Sequence, residues 1–142
     1  MAVKYLADTN VVSELMKPVP ADAVIDWFQD NEGQVCISAI TVEELYFGLL
    51  LLPDGKRKER LKAAITGIVM DCSDKTLVFD AFSAYLCAEL HAKARAMGRA
   101  ATIEDLMIAA IALRNDAVVA TRNTKDFDYL GIDCVNPFEE RG

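Results

Sequence analysis

The stretch VKYLADTNVVSELMKP, residues 3–18, sets an acid, Asp8, at the exit of a largely apolar run, Val3–Ala7. Thr9, Asn10 and a second apolar segment follow, and the segment stops at Pro18. The first run reads as a short buried strand. Val11, Val12, Leu15 and Met16 recur at helical spacing, with Asn10 as the expected cap and Pro18 as the expected stop. The unit is strand, acid, helix. An acid bordering an apolar strand is costly unless a charge or a hydrogen-bond donor meets it, so Asp8 is the first candidate functional residue.

The rest of the chain repeats this alternation. Residues 20–31 suit a helix with Val24, Ile25, Trp27 and Phe28 turned inward and Gly33 as its left-handed stop. QVCIS, residues 34–38, suits a buried strand, and a helix is expected from Thr41 to about Leu52, closed by Pro53. Lys56–Met70 has a helical stripe of Leu61, Ile65, Ile68 and Val69, and its end near Val69–Cys72 could equally be a short strand. Thr76–Met97 reads as one long helix stopped by Gly98, and Thr102–Arg114 as a strongly apolar one. Ala117–Thr121 is an expected strand and Asp133–Val135 a short edge strand. Apolar strands alternating with helices imply one α/β domain over residues 1–142, with a mostly parallel sheet of four to five strands covered on both faces.

Composition narrows the function classes. Leu45–Leu52, an uncharged apolar run, is far short of the ~20 residues a bilayer requires, and the N-terminus lacks the pattern of an export signal. A cytoplasmic protein is the expectation. Cys36, Cys72, Cys87 and Cys134 form no C-x-x-C pair and His91 is the only histidine, which argues against a zinc cage or a disulfide framework. A net charge of −7 argues against indiscriminate binding to polyanions, though not against a local nucleic-acid site.

In a parallel sheet, ligand sites form at the carboxyl ends of the strands, where helix N-termini gather. Four acids are expected there: Asp8 after the first strand, Glu44 in the first turn of the third helix, Asp105 in the first turn of the helix from Thr102, and Asp126 just after AVVAT. Thr41-Val-Glu-Glu and Thr102-Ile-Glu-Asp also match the capping-box pattern, and Asp126 also suits an Asx turn, so purely structural roles are open for these three.

Four segments, YLADTNVVSEL, ISAITVEELYFGL, GRAATIEDLMIAAIAL and TRNTKDFDYLGI, resemble in this order the signature blocks of the PIN-domain family, in its VapC/FitB-like toxin-endonuclease branch. The resemblance spans nearly the whole chain. It implies that Asp8, Glu44, Asp105 and Asp126 are the acidic metal-site residues, and that Thr9, Asn10, Thr121 and Asn123 are polar residues lining the pocket. The neighbours Glu43 and Glu104 fall out of the family register. Ala100 and Ala101 stand where relatives commonly carry a proline, a change in loop stiffness that leaves the ligand set intact.

Clustered carboxylates repel unless a cation neutralises them, and an all-oxygen set selects Mg²⁺ or Mn²⁺. Such an ion activates water and steadies phosphate charge. The resemblance therefore implies an endoribonuclease that hydrolyses RNA to 5′-phosphate and 3′-hydroxyl ends. It also implies a VapB-like antitoxin whose tail covers the site. Basic clusters at Lys56, Arg57, Lys58, Arg60 and Lys62 and at Lys93, Arg95 and Arg99, with Arg122 and Lys125 near the last block, could meet RNA or simply be solvated helix faces. Tyr46, Phe47 and Leu49–Leu52 are more apolar than one helix face requires, so a homodimer contact, the antitoxin or burial on several sides could cover them.

The rivals fit less well. A receiver-type phospho-acceptor wants paired acids after the first strand and an Asp where Ser38 stands; an aspartyl-phosphate hydrolase wants a second acid where Asn10 stands. A catalytically silent interaction domain would leave four acids in register without a role.

Overall fold

The structure is a computed structural model that describes residues 5–139. Strand β1 is Tyr5–Ala7, so Val3 and Lys4 of the expected first strand lie outside the described residues. Helices α1 (Thr9–Leu15) and α2 (Asp22–Asp30) lead to β2 (Val35–Ser38), α3 (Ala39–Leu50) and α4 (Lys56–Asp71). A 3₁₀ turn at Ser73–Lys75 precedes β3 (Thr76–Leu77), α5 (Ala81–Ala96) and α6 (Ile103–Arg114). Then come β4 (Val118–Ala120), α7 (Lys125–Asp128) and β5 (Cys134–Val135).

The five strands form one sheet in the order β3-β2-β1-β4-β5, with every pair parallel. Side chains alternate between its faces, as the pleat requires. Leu6 and Val119 join a core with Cys87, Leu90 and Ala94 of α5 and Leu106, Ile108 and Ile111 of α6. Ala7, Ile37 and Ala120 face the opposite way, against Val11, Val24, Trp27, Leu45, Leu49 and Ile65 of α1 to α4. The expected parallel sheet with two covered faces is therefore what the chain forms. Consecutive buried residues Ile108–Ala112 show that α6 is packed on several sides, which explains why its sequence has no polar stripe. Gly33 (φ +81°) and Gly98 (φ +70°) terminate the helices before them, in the left-handed conformation that a side chain would strain.

Several expected elements are corrected. The long helix expected over Thr76–Met97 is instead a strand and a shorter helix: Thr76 and Leu77 pair with Ile37 and Ser38 of β2. Asp80 then starts α5 by accepting a hydrogen bond from Ser83 N at 2.8 Å. The capping pattern at Asp80 and the pairing capacity of β2 outweigh the helical spacing of Leu77 and Phe79. Helix α4 runs unbroken to Asp71, so no strand forms at its end. Asn10 lies inside α1, whose N-cap is Asp8. Helix α3 starts at Ala39, not Thr41, because Ser38 caps it and accepts from Thr41 N at 3.1 Å. Among the described residues no helix is long and apolar enough to cross a membrane. The four cysteines are free thiols.

Candidate active site

The parallel sheet brings the exits of β1, β2 and β4 to one edge. Ala7 pairs with Ala120, so Asp8 and Thr121, one residue further along, are neighbours. The backbone fixes them: Asp8 N donates to Ala120 O at 2.8 Å, and Thr121 N donates to Val135 O at 2.9 Å. Both side chains are buried, Asp8 being 6% exposed.

Each oxygen of Asp8 is engaged. Oδ1 accepts from Thr9 N at 2.8 Å, which makes Asp8 the cap of α1. Oδ2 accepts from Thr121 Oγ1 at 2.8 Å and from Asn10 Nδ2 at 3.3 Å. Asn10 Nδ2 also reaches Thr121 Oγ1 at 3.3 Å, and Asn10 Oδ1 accepts from Arg122 N at 3.1 Å. Asn123 enters through its backbone, donating N–H to Thr121 Oγ1 at 3.1 Å. Thr121 thus spends its one proton on Asp8 and fills its lone pairs with two donors. Asn10 and Thr121 act as struts that hold an acid, and the four polar positions expected at the pocket all belong to this network or its margin.

Glu44 is joined to the same site through Thr9, whose hydroxyl donates to Glu44 Oε1 at 2.8 Å. Because α3 begins at Ala39, Glu44 lies in the second turn and not the first, and no acid occupies the first turn of α3. The capping-box role open to Glu44 is thereby removed: the cap is Ser38. For α6 the expected cap is present, with Thr102 Oγ1 accepting from Asp105 N at 3.2 Å.

The acids feel one another's charge. Burial pushes the Asp8 carboxyl up; the Thr121 hydroxyl and Thr9 amide pull it back, the charge of Asp126 raises it, and the net shift is upward. Burial raises Glu44, opposed by Thr9, with Asp8, Glu104 and Glu43 adding repulsion. Asp105 is pushed up to about 6 by burial first, then by the charge of Asp8, against a hydrogen bond from Thr102, with Asp126 and Glu44 adding to the rise. Asp126, in the short helix α7, therefore bears on both Asp8 and Asp105. Asp8 therefore acts on Glu44 and Asp105, Glu44 on Asp105, and Asp126 on Asp8 and Asp105, which puts the four acids within electrostatic reach of one another. Glu104, out of the family register, also lies near enough to act on Glu44.

The donors around this crevice are all oxygens of carboxylates, hydroxyls and amides, the set that hard divalent cations prefer. Among the described residues no three His, Cys, Asp or Glu side chains are already gathered closely enough to enclose a cation.

The basic groups divide. Arg57 and Arg60 line a groove of about 670 Å³ together with Thr9, Lys17, Glu44 and the apolar Leu49 and Leu61. Lys93 instead donates to Leu130 O at 3.2 Å, and Arg99 lies 4.0 Å over the Tyr129 ring, so that cluster ties α5 to α7 and its flank. Arg122 lies 3.7 Å over the Phe138 ring and 3.9 Å from the buried Glu14. Lys125 and His91 are exposed.

Three residues here had no site role in the sequence reading, although Thr41 was expected to open the helix. Ser38 and Thr41 set the start of α3 and the partner of Thr9 (Oγ1 to Oγ1 3.0 Å), and the spacing Ser38-x-x-Thr41-x-x-Glu44 was the signal for that role. Glu14 is buried with Lys17 Nζ at 2.8 Å and Ala21 N at 2.9 Å, which hold its carboxyl below the usual range.

A PIN domain profile matches residues 5–132. The chain belongs to the PIN-domain family. It is similar to the VapC ribonuclease Y4jK of Sinorhizobium fredii, with 39% identity over 93% of this chain and 96% of that protein. It is similar to toxin FitB of Neisseria gonorrhoeae, with 35% identity over 95% of this chain and 99% of that one. A solved structure of FitAB bound to an IR36 DNA fragment superposes with a TM-score of 0.89 at 32% identity, covering 97% of this chain and 98% of that one. The VapC/FitB-like resemblance and the PIN-like α/β fold both hold.

Proposed function

We propose that this PIN-domain protein is a Mg²⁺- or Mn²⁺-dependent endoribonuclease, the toxin of a toxin–antitoxin pair, and that it works in the cytoplasm. The carrying observation is that Thr9 ties two carboxylates together at the exits of parallel strands, its N–H bound to Asp8 Oδ1 and its hydroxyl to Glu44 Oε1, with the charges of both raising Asp105. Burying mutually repelling carboxylates costs stability, and a cation that binds them offsets that cost. The names of the VapC ribonuclease and toxin FitB relatives support the reaction class.

When bound, the cation supplies an activated water and neutralises charge on the phosphate. Asp8 and Asp105 would hold it as principal ligands. Glu44, with Oε1 bound to Thr9, would assist through its second oxygen, and Asp126 would complete the pocket. Asn10 and Thr121 keep Asp8 fixed. Arg57, Arg60 and Lys17, along the groove that begins at Glu44, attract the RNA backbone next to an otherwise acidic surface.

A VapB-like antitoxin and a second copy of this chain are the proposed partners. The FitAB structure supports the first. Phe47 and Leu50 of α3 and Leu51 at its C-terminal cap, 59%, 68% and 70% exposed, form an apolar stripe suited to being covered. Light scattering of the chain, alone and with a co-expressed antitoxin, tests both partners. End analysis of cleaved RNA tests the reaction: 5′-phosphate and 3′-hydroxyl products that vanish with EDTA support it, whereas cyclic phosphate ends or EDTA-resistant cleavage would overturn it.

A further inference from the structure

Thr41 is fully buried at 0% exposure, and its hydroxyl has Thr9 Oγ1 as its partner at 3.0 Å. Proton counting gives that contact a direction. Thr9 has one hydroxyl proton, and it is donated to Glu44 Oε1 at 2.8 Å. An ionised carboxylate donates nothing, so Thr41 must be the donor to Thr9. The chain runs one way: Thr41 O–H to Thr9 Oγ1, Thr9 O–H to Glu44 Oε1. Thr41 is anchored in turn by the helix start, its backbone N–H donating to Ser38 Oγ at 3.1 Å.

This arrangement commits one oxygen of Glu44 to the protein. Among the described residues, no hydrogen bond engages Oε2. Chained hydroxyls polarise one another, so the first donor strengthens the second bond. We infer that Thr41 is a positioning residue: through Thr9 it holds Glu44 Oε1 against α1 and so presents Oε2 to the crevice. The inference rests on the proposed nuclease reading for its rate consequence, and on the hydroxyl geometry alone for its structural one.

Thr41→Val keeps the shape and removes the donor; Thr41→Ser keeps the donor. RNA cleavage by folded Thr41→Val is expected to show kcat lowered about fivefold, the rate equivalent of one neutral hydrogen bond, with KM unchanged. Thr41→Ser should restore the wild-type rate. In a Glu44→Gln background, Thr41→Val should cost nothing further, since the residue it positions is already disabled. Wild-type kcat in Thr41→Val, no rescue by serine, or an undiminished effect in the Glu44→Gln background would each overturn the inference. A second measurement needs no activity: side-chain scalar couplings of Glu44 in the metal-free protein should report one rotamer in wild type and Thr41→Ser, and averaging in Thr41→Val. Thr41→Ala serves in both measurements if the valine variant does not fold. If wild-type protein cleaves no RNA, the nuclease reading fails, and the couplings still decide the positioning: averaging upholds it, a single unchanged rotamer overturns it.

Discussion

Thr121 Oγ1 donates a hydrogen bond to Asp8 Oδ2 at 2.8 Å, joining the exits of β4 and β1 across 113 positions of sequence. Asp8 is buried and its carboxyl is raised by that burial, so the bond offsets part of the cost of keeping a charge there. A hydrogen bond to a charged group contributes about 1.5–3 kcal/mol. Thr121→Val is expected to lower stability by that order, and Thr121→Ser to leave it nearly unchanged. Urea unfolding curves of the three proteins check this, and a valine variant as stable as wild type would remove the strut role from Thr121.

Asp105 makes a stability prediction with a definite sign. Its pKa rises from 3.8 to about 6 on folding, so between those values the folded state holds the proton more tightly than the unfolded chain. Stability from this group is present at low pH and is lost as pH rises toward and through about 6. Asp105→Asn removes the loss. The metal-free variant should gain stability relative to wild type between pH 4 and pH 7, in unfolding midpoints measured at both values, while RNA cleavage is abolished.

The same groups set how a cation acts on stability. Mg²⁺ or Mn²⁺ should raise the melting temperature of the wild-type protein at pH 7.5 and raise it much less at pH 5, where protons compete for Asp105. Asp8→Asn should show little response at either pH. Calorimetry with and without EDTA reads this directly.

Asp80 separates stability from activity. It caps α5, accepting from Ser83 N and Ser83 Oγ at 2.8 Å each, and lies 3.4 Å from Arg114 Nε, on a helix whose role is to pack. Asp80→Ala is expected to cost about 1–2 kcal/mol of stability and to leave cleavage per folded molecule unchanged. A matching loss of activity in the folded fraction would tie α5 to the site.

The parallel sheet was legible because strands buried on both faces leave near-continuous apolar runs, and Asp8 stood out because an acid beside such a run is costly without a partner. Helix starts were harder to read. Asn10 and Thr41 both suit a cap, yet Asp8 and Ser38 stand two and three positions earlier and take the role, because the chain turns from strand to helix without a loop. That shift moves Glu44 into the second turn and turns Thr41 into a buried partner of Thr9. The misread strand at Thr76–Leu77 has a different cause: only pairing with β2 stabilises two residues as a strand, and pairing is invisible in local spacing. The resemblance to the PIN family supplied the register that selects Asp105 over Glu104, which periodicity alone leaves open.

The most direct test is cleavage of total cellular RNA by purified, partner-free protein in Mg²⁺ or Mn²⁺, with and without EDTA, beside Asp8→Asn protein shown to be folded. Discrete fragments that appear only with metal and only with wild type are the predicted result. Equal inertness of the two proteins, with an acyl-phosphate donor labelling Asp8 in the wild type, would contradict it and make Asp8 a phospho-acceptor.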